Sequence, residues 1–151
     1  MIRRRNAALA ALVGLAVLAT ALLAGCSSPP AVDVTVTDPG RTRLDVTIGE
    51  GYRFDPPSLT VQAGKPVAIV VHNKQAMVHD WTVQKIAVRD LKITSSYRPE
   101  PAGNGPGLHL AVPPGGVGKL EFTPIEKGSL AFFCSVPGHR ESGMVGTLTV
   151  Q

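Results

Sequence analysis

The segment 130–150, LAFFCSVPGHRESGMVGTLTV, decides the fold predicted for this chain. An apolar run ends at Cys134, and a run that alternates apolar and polar residues occupies 146–150. Both runs are typical of β-strands, because β-branched and aromatic side chains fit a pleated, half-buried surface. One proline and two glycines lie between them and favour a tight connection. The segment is therefore predicted as two strands joined by a short loop.

The same alternation of short apolar runs and turn residues extends over residues 31–151. Glycine (16) and proline (13) are abundant while only 5% of residues are aromatic, which argues against a helical bundle or a coiled coil. The predicted strands are 32–36, 44–48, 58–61, 66–71, 79–83, 108–112, 119–122, 129–134 and 146–150. A Pro/Gly-rich loop is predicted at 95–107. This pattern predicts an all-β, Greek-key β-sandwich.

The first 25 residues are predicted to be a secretory signal. Three arginines at positions 3–5 precede an apolar run over 7–24, in the order that signal peptides have. The run is nearly long enough to cross a bilayer, so a retained helix is the alternative. Its ending, Leu23-Ala24-Gly25-Cys26, resembles the lipobox of bacterial lipoproteins, in which cleavage precedes the cysteine and its thiol is acylated.

By this resemblance, Cys26 is a lipid anchor that holds the protein outside the cytoplasmic membrane, at the cell surface or in the periplasm. Residues 26–43 would contain the lipidated cysteine, a linker and a possible first strand, and residues 44–151 the folded domain. Removal of the three arginines lowers the formal net charge from +4 to +1. Such a balance gives no basis for nucleic-acid binding. Cys134 is then the one cysteine of the folded domain.

Cys134 is followed by two further residue types that bind metals. Cys134, His139 and Met144 have the spacing Cys-x4-His-x4-Met, which allows a thiolate, an imidazole and a thioether to turn towards one point. A cysteine, two histidines and a distant axial methionine are the ligands of blue-copper sites. The second histidine must come from elsewhere in the chain, and His79 in the predicted strand 79–83 is the leading candidate.

With these residues the chain resembles the cupredoxins of the plastocyanin/azurin family, and its ligand spacing is closest to the auracyanin-like members. The matching segments are 51–56 (GYRFDP), 61–64 (VQAG), 78–83 (VHDWTV), 133–139 (FCSVPGH) and 143–148 (GMVGTL). The resemblance implies one type 1 copper ion with His79, Cys134 and His139 in the plane and Met144 as the axial ligand. The family usually has asparagine after its first histidine ligand, and this residue is hydrogen-bonded to the hydroxyl residue after the cysteine. Here these positions are Asp80 and Ser135, so the aspartate is a departure from the pattern.

Each residue also has an ordinary interpretation when it is taken singly. Cys134 can be a core thiol, His139 a surface loop residue and Met144 a filler of core volume. Zinc is the competing metal, but zinc makes poor use of a thioether, so Met144 favours copper. His72 and His109 lack neighbouring ligand residues and are not predicted to bind metal.

A site with four protein ligands has no open position for a substrate, so we expect an electron carrier that cycles between Cu(I) and Cu(II), and not an enzyme. Multicopper oxidases and nitrite reductases need more histidines than the four present here. The alternative is a module that stores or delivers copper without redox turnover. Family resemblance implies that redox proteins dock at an exposed edge of His139, in an apolar patch with Met77, Pro137 and Gly138. A monomer without a small-molecule substrate is expected.

Overall fold

Ten strands form two five-stranded sheets in the computed structural model, which describes residues 31–97 and 107–151. The strands are β1 (Thr42–Gly49), β2 (Arg53–Asp55), β3 (Ser58–Val61), β4 (Val67–Asn73), β5 (His79–Val83), β6 (Val88–Ser95), β7 (Leu108–Val112), β8 (Val117–Pro124), β9 (Gly128–Phe133) and β10 (Val145–Val150). The first sheet has the order β2-β1-β4-β8-β6 and the second β3-β10-β9-β5-β7. The predicted all-β sandwich is therefore confirmed. Within the described ranges, no helix is long and apolar enough to span a bilayer.

The core lies between the two sheets and consists of alternate residues of the strands. Fully buried members include Val46, Ile48, Ile69, Leu120 and Phe122 from the first sheet, and Trp81, Leu110, Phe132 and Leu148 from the second. Burying a side chain of this size stabilises the fold by about 1.5–3 kcal/mol. Trp81 stacks on Phe132 with ring centroids 5.2 Å apart.

Most strands lie where the sequence predicts them, and three of them have the predicted bounds. The prediction missed β2 and β6. β2 has only three residues, too few to establish a period. β6 is an edge strand with a register shift between Arg89 and Lys92, and Leu91 and Ile93 are exposed, so its sequence does not alternate as a half-buried strand should.

The prediction of a strand at 32–36 is wrong, because residues 31–37, termed here the N-terminal arm, pair with no strand. Arg43 donates to the Val34 carbonyl at 3.0 Å, and Lys119 Nζ donates to the Thr35 carbonyl at 2.9 Å. Both donors point away from the core, since side chains alternate across a sheet. The arm thus crosses the outer face of the first sheet, and its alternating valines reflect packing on that face.

Several predictions concern residues outside the described ranges. These are the signal peptide at 1–25, the lipidated Cys26 and residues 98–106 of the loop predicted at 95–107, of which Ser95 belongs to β6.

Candidate metal centre

Two neighbouring antiparallel strands bring the two halves of the site together. β5 begins at His79, and β9 ends at Phe133, one residue before Cys134. The pairing of Thr82 with Phe133 places the start of β5 and the end of β9 at the same end of the second sheet. His79 and Cys134 therefore lie close together although 54 residues separate them in the chain.

The loop after Cys134 folds back on itself through its backbone. Cys134 N–H donates to the Met144 carbonyl at 3.1 Å, and Met144 N–H donates to the His139 carbonyl at 3.0 Å. Gly138 (φ 83°) and Gly143 (φ 94°) have left-handed backbones, which glycine adopts without steric cost. The loop thus joins the backbones of three of the predicted ligands, and the Met144 side chain is fully buried.

Three candidate donor atoms converge at this end of the sandwich. The Cys134 Sγ atom lies 3.5 Å from His139 Nδ1 and 3.8 Å from His79 Nδ1, and the three donor atoms are within 4.8 Å of one another. All three side chains are buried. One soft thiolate and two borderline imidazoles form a donor set that fits copper.

Burial shifts the pKa values of Cys134 and His79. Burial raises the pKa of the Cys134 thiol to about 11, although the Asp80 N–H donates to its sulfur at 3.4 Å. Burial, and after it the proximity of His139, lowers the pKa of His79. The site therefore offers a neutral His79 imidazole at neutral pH, and a metal must displace the thiol proton when it binds.

The Asp80 carboxylate joins the two ligand segments. Ser135 N–H donates to Asp80 Oδ1 and the Ser135 hydroxyl to Oδ2, both at 2.8 Å. The Thr82 hydroxyl also donates to Oδ1 at 2.8 Å, and the His109 Nδ1 atom lies 2.8 Å from the Thr82 oxygen. The aspartate therefore makes the connection between segments that the resemblance assigns to asparagine, and it uses both carboxylate oxygens.

One residue at the site was missed by the sequence analysis. The Tyr52 ring lies over the imidazoles, with centroid distances of 4.7 Å to His139 and 5.9 Å to His79. His139 is only 8% exposed, so the ring edge expected to face solvent is largely covered. Tyr52 lies inside the matching segment 51–56, but no local pattern there indicates a contact with His139.

The two remaining histidines lie outside the donor cluster. His72 Nε2 lies 2.8 Å from Asp45 Oδ1 on the outer face of the first sheet. His109 Nδ1 lies 2.8 Å from the Thr82 hydroxyl, which is hydrogen-bonded to Asp80. Neither belongs to the group of donor atoms formed by His79, Cys134 and His139.

Within residues 31–97 and 107–151, the β-sandwich buries a His–Cys–His cluster where β5 begins and β9 ends, and this cluster can hold a metal ion. The chain belongs to the copper binding proteins of the plastocyanin/azurin family, whose profile matches residues 41–151. Copper is accordingly the metal that the family and the donor set support.

Two curated relatives have related sequences. The copper-resistant cuproprotein CopI of Rubrivivax gelatinosus is 31% identical over 109 residues, which are 70% of this chain and 64% of that protein. The copper-resistant cuproprotein CopI of Pseudomonas aeruginosa is 27% identical over 137 residues, 72% of this chain and 75% of that protein. The chain thus spans slightly less than two thirds of the Rubrivivax protein.

Solved structures show the same fold. Reduced auracyanin from the photosynthetic bacterium Roseiflexus castenholzii superposes with a TM-score of 0.57 at 22% identity, covering 73% of this chain and 97% of its own. Auracyanin A, a "blue" copper protein from Chloroflexus aurantiacus, gives 0.56 at 21% identity, covering 74% and 100%. At these identities the likeness concerns the fold alone.

Proposed function

We propose that this protein is an electron carrier outside the cytoplasmic membrane, with one type 1 copper that cycles between Cu(I) and Cu(II). His79, Cys134, His139 and Met144 would hold the copper. The observation that carries the proposal is that all four side chains are buried and that the loop 134–144 joins three of them through its backbone.

The bound copper would supply a one-electron couple, and the chain would keep its surroundings unchanged. The Asp80 N–H donates to the Cys134 sulfur, and the Asp80 carboxylate is bonded to Ser135. These contacts hold the two ligand segments in one arrangement, so few atoms have to move when the charge changes. A buried set of four donors also leaves no open position for a substrate, which supports a carrier over an enzyme.

The surroundings of the site suit brief contacts with redox proteins. Tyr52 and Met77 are exposed apolar residues, Tyr52 beside the histidines and Met77 two residues before His79. Weak redox complexes use small interfaces. A lipid anchor at Cys26 would keep the carrier near membrane-bound partners, since several acyl chains hold a protein firmly where one does not.

The first test is the visible absorption spectrum of the protein loaded with Cu(II), before and after ascorbate. An intense blue band that bleaches and returns on reoxidation is the expected result. Cys134→Ala should remove the band because it removes the thiolate ligand. Met144→Leu conserves volume and should keep the band but shift the reduction potential, since the axial ligand tunes it. A band that persists in Cys134→Ala would overturn the assignment.

A second candidate function is copper storage or delivery without redox turnover. It is favoured by the two relatives, which are named copper-resistant cuproproteins. The two functions differ in how the protein holds its metal. A carrier should retain Cu(I) against a high-affinity chelator and exchange electrons rapidly between its Cu(I) and Cu(II) forms. A delivery protein should surrender the copper readily and cycle poorly.

A further inference from the structure

Tyr52 occupies an unusual backbone position in the turn between β1 and β2. It has a φ of 55° and follows Gly51 with a φ of 74°, so two consecutive residues are left-handed. Such a conformation is uncommon for a bulky residue, and strain of this kind clusters at functional sites. The turn therefore keeps a tyrosine where a glycine or an asparagine would fit the backbone better.

The Tyr52 ring completes a cluster of three rings. The His79 and His139 ring centroids are 4.8 Å apart, and Tyr52 contacts both imidazoles. Exposure decreases inwards through the cluster, from 36% for Tyr52 to 8% for His139 and 0% for His79. Tyr52 is thus the outermost ring and lies between solvent and both histidines.

The position of this ring has an electrostatic consequence for a copper site. A Cu(II) ion with one thiolate has one net positive charge, whereas the Cu(I) form is neutral. Water stabilises the charged form, and a covering of low polarity disfavours it. A ring that excludes water from the imidazoles therefore favours Cu(I) and raises the reduction potential.

We propose that Tyr52 is a positioning residue that shields the two histidine ligands from water and thereby raises the reduction potential of the copper. The inference rests on the function proposed above and assigns a residue that sets the potential of that site. The ring carries the effect and the hydroxyl does not, since the Tyr52 hydroxyl makes no hydrogen bond within residues 31–97 and 107–151.

The test compares Tyr52→Ala with Tyr52→Phe, which keeps the ring. Tyr52→Gly also removes the ring, and it serves if the alanine variant folds poorly. Glycine adopts the left-handed backbone of this position without steric cost. Ile125→Ala is the matched control. It truncates a 53% exposed apolar residue in the turn between β8 and β9, at the end of β9 that is far from Cys134. Two quantities are measured: the reduction potential by voltammetry, and the solvent exchange of the His139 imidazole N–H by NMR in the Cu(I) protein.

Both ring deletions should lower the potential and speed the N–H exchange at least about tenfold, because water then reaches the imidazole. Tyr52→Phe and Ile125→Ala should match the wild type in both measurements. Unchanged potential and exchange in Tyr52→Gly would overturn the proposal, and so would a Tyr52→Phe variant that behaves like the deletions. If the wild type shows no reversible couple, the carrier function fails, while the exchange measurement still decides whether Tyr52 shields His139.

Discussion

At the scale of single residues, Asp80 connects the two ligand segments of the metal centre by hydrogen bonds. Its backbone N–H donates to the Cys134 sulfur, and its carboxylate accepts hydrogen bonds from Ser135 and Thr82. Burial is the main cause of the raised pKa of Cys134, and the negative charge of Asp80 raises this pKa further. Asp80 thus contributes to both the geometry and the electrostatic field of the cysteine ligand.

Asp80→Asn should raise the reduction potential of the copper. The substitution keeps an acceptor for Ser135 but removes a negative charge that favours Cu(II) over neutral Cu(I). Voltammetry measures the shift, with Asp90→Asn as a control, since Asp90 is an exposed aspartate on β6, outside the metal centre. A potential equal to or below that of the wild type would contradict the interpretation.

Asp80→Ala should in addition lower the free energy of unfolding by about 1–3 kcal/mol, because the Ser135 donors lose their acceptors.

At the scale of elements, Gly146 of β10 leaves space for the Phe132 ring of β9 and for the backbone just before β3. A Cβ atom on Gly146 would lie 2.2 Å from Phe132 Cζ and 2.5 Å from the Pro57 carbonyl oxygen. Since one of these neighbours is backbone, the contact cannot be relieved by a side-chain rotation alone. The absence of a side chain at Gly146 therefore allows β10, which follows Met144, to take its position in the second sheet.

Gly146→Ala should therefore destabilise the protein by about 3 kcal/mol, near the upper end of overpacking costs. Urea unfolding followed by circular dichroism measures the change. Gly49→Ala is the matched control at the end of β1, because a Cβ atom there meets no atom within 4 Å. Equal midpoints for the two variants would show that β10 can move away from Phe132.

At the scale of the whole molecule, charges cover the outer face of the first sheet. Arg43 donates to both carboxylate oxygens of Asp45, and His72 lies 2.8 Å from the same group. The hydrogen bond from Arg43, and after it that from His72, lowers the pKa of Asp45 to about 2. Arg43 and Asp45 belong to β1, and the contact of Asp45 with His72 connects β1 with the neighbouring strand β4.

This charge network gives the folding stability a dependence on pH. Because the pKa of Asp45 falls on folding from 3.8 to about 2, its stabilising effect is present above the unfolded value and is lost as the pH falls through about 2. Asp45 is 47% exposed, so solvent screening limits the effect to at most about 1 kcal/mol. Urea unfolding should show Asp45→Asn as less stable than the wild type at pH 7, and the difference should shrink as the pH falls towards 2. A difference that does not change with pH would show that the charge of Asp45 is not its cause.

The sequence by itself determined most of the strands and the types of donor. Alternating apolar residues encode a strand locally, which is why 58–61, 79–83 and 108–112 agree with the structure. The spacing of Cys134, His139 and Met144 is equally local, because a single loop contains all three. The period-two pattern of 32–36 was misleading, since packing on a sheet face produces the same alternation as pairing within a sheet.

Only the tertiary structure decided which distant residues meet. The register between β5 and β9 brings His79 to Cys134 and Asp80 to Ser135, and no local pattern specifies a register over more than fifty residues. The contact of Tyr52 with His139 depends in the same way on how the β1–β2 turn packs against the loop between β9 and β10. Local composition thus supplies the candidate ligands, whereas their burial and shielding arise from long-range packing.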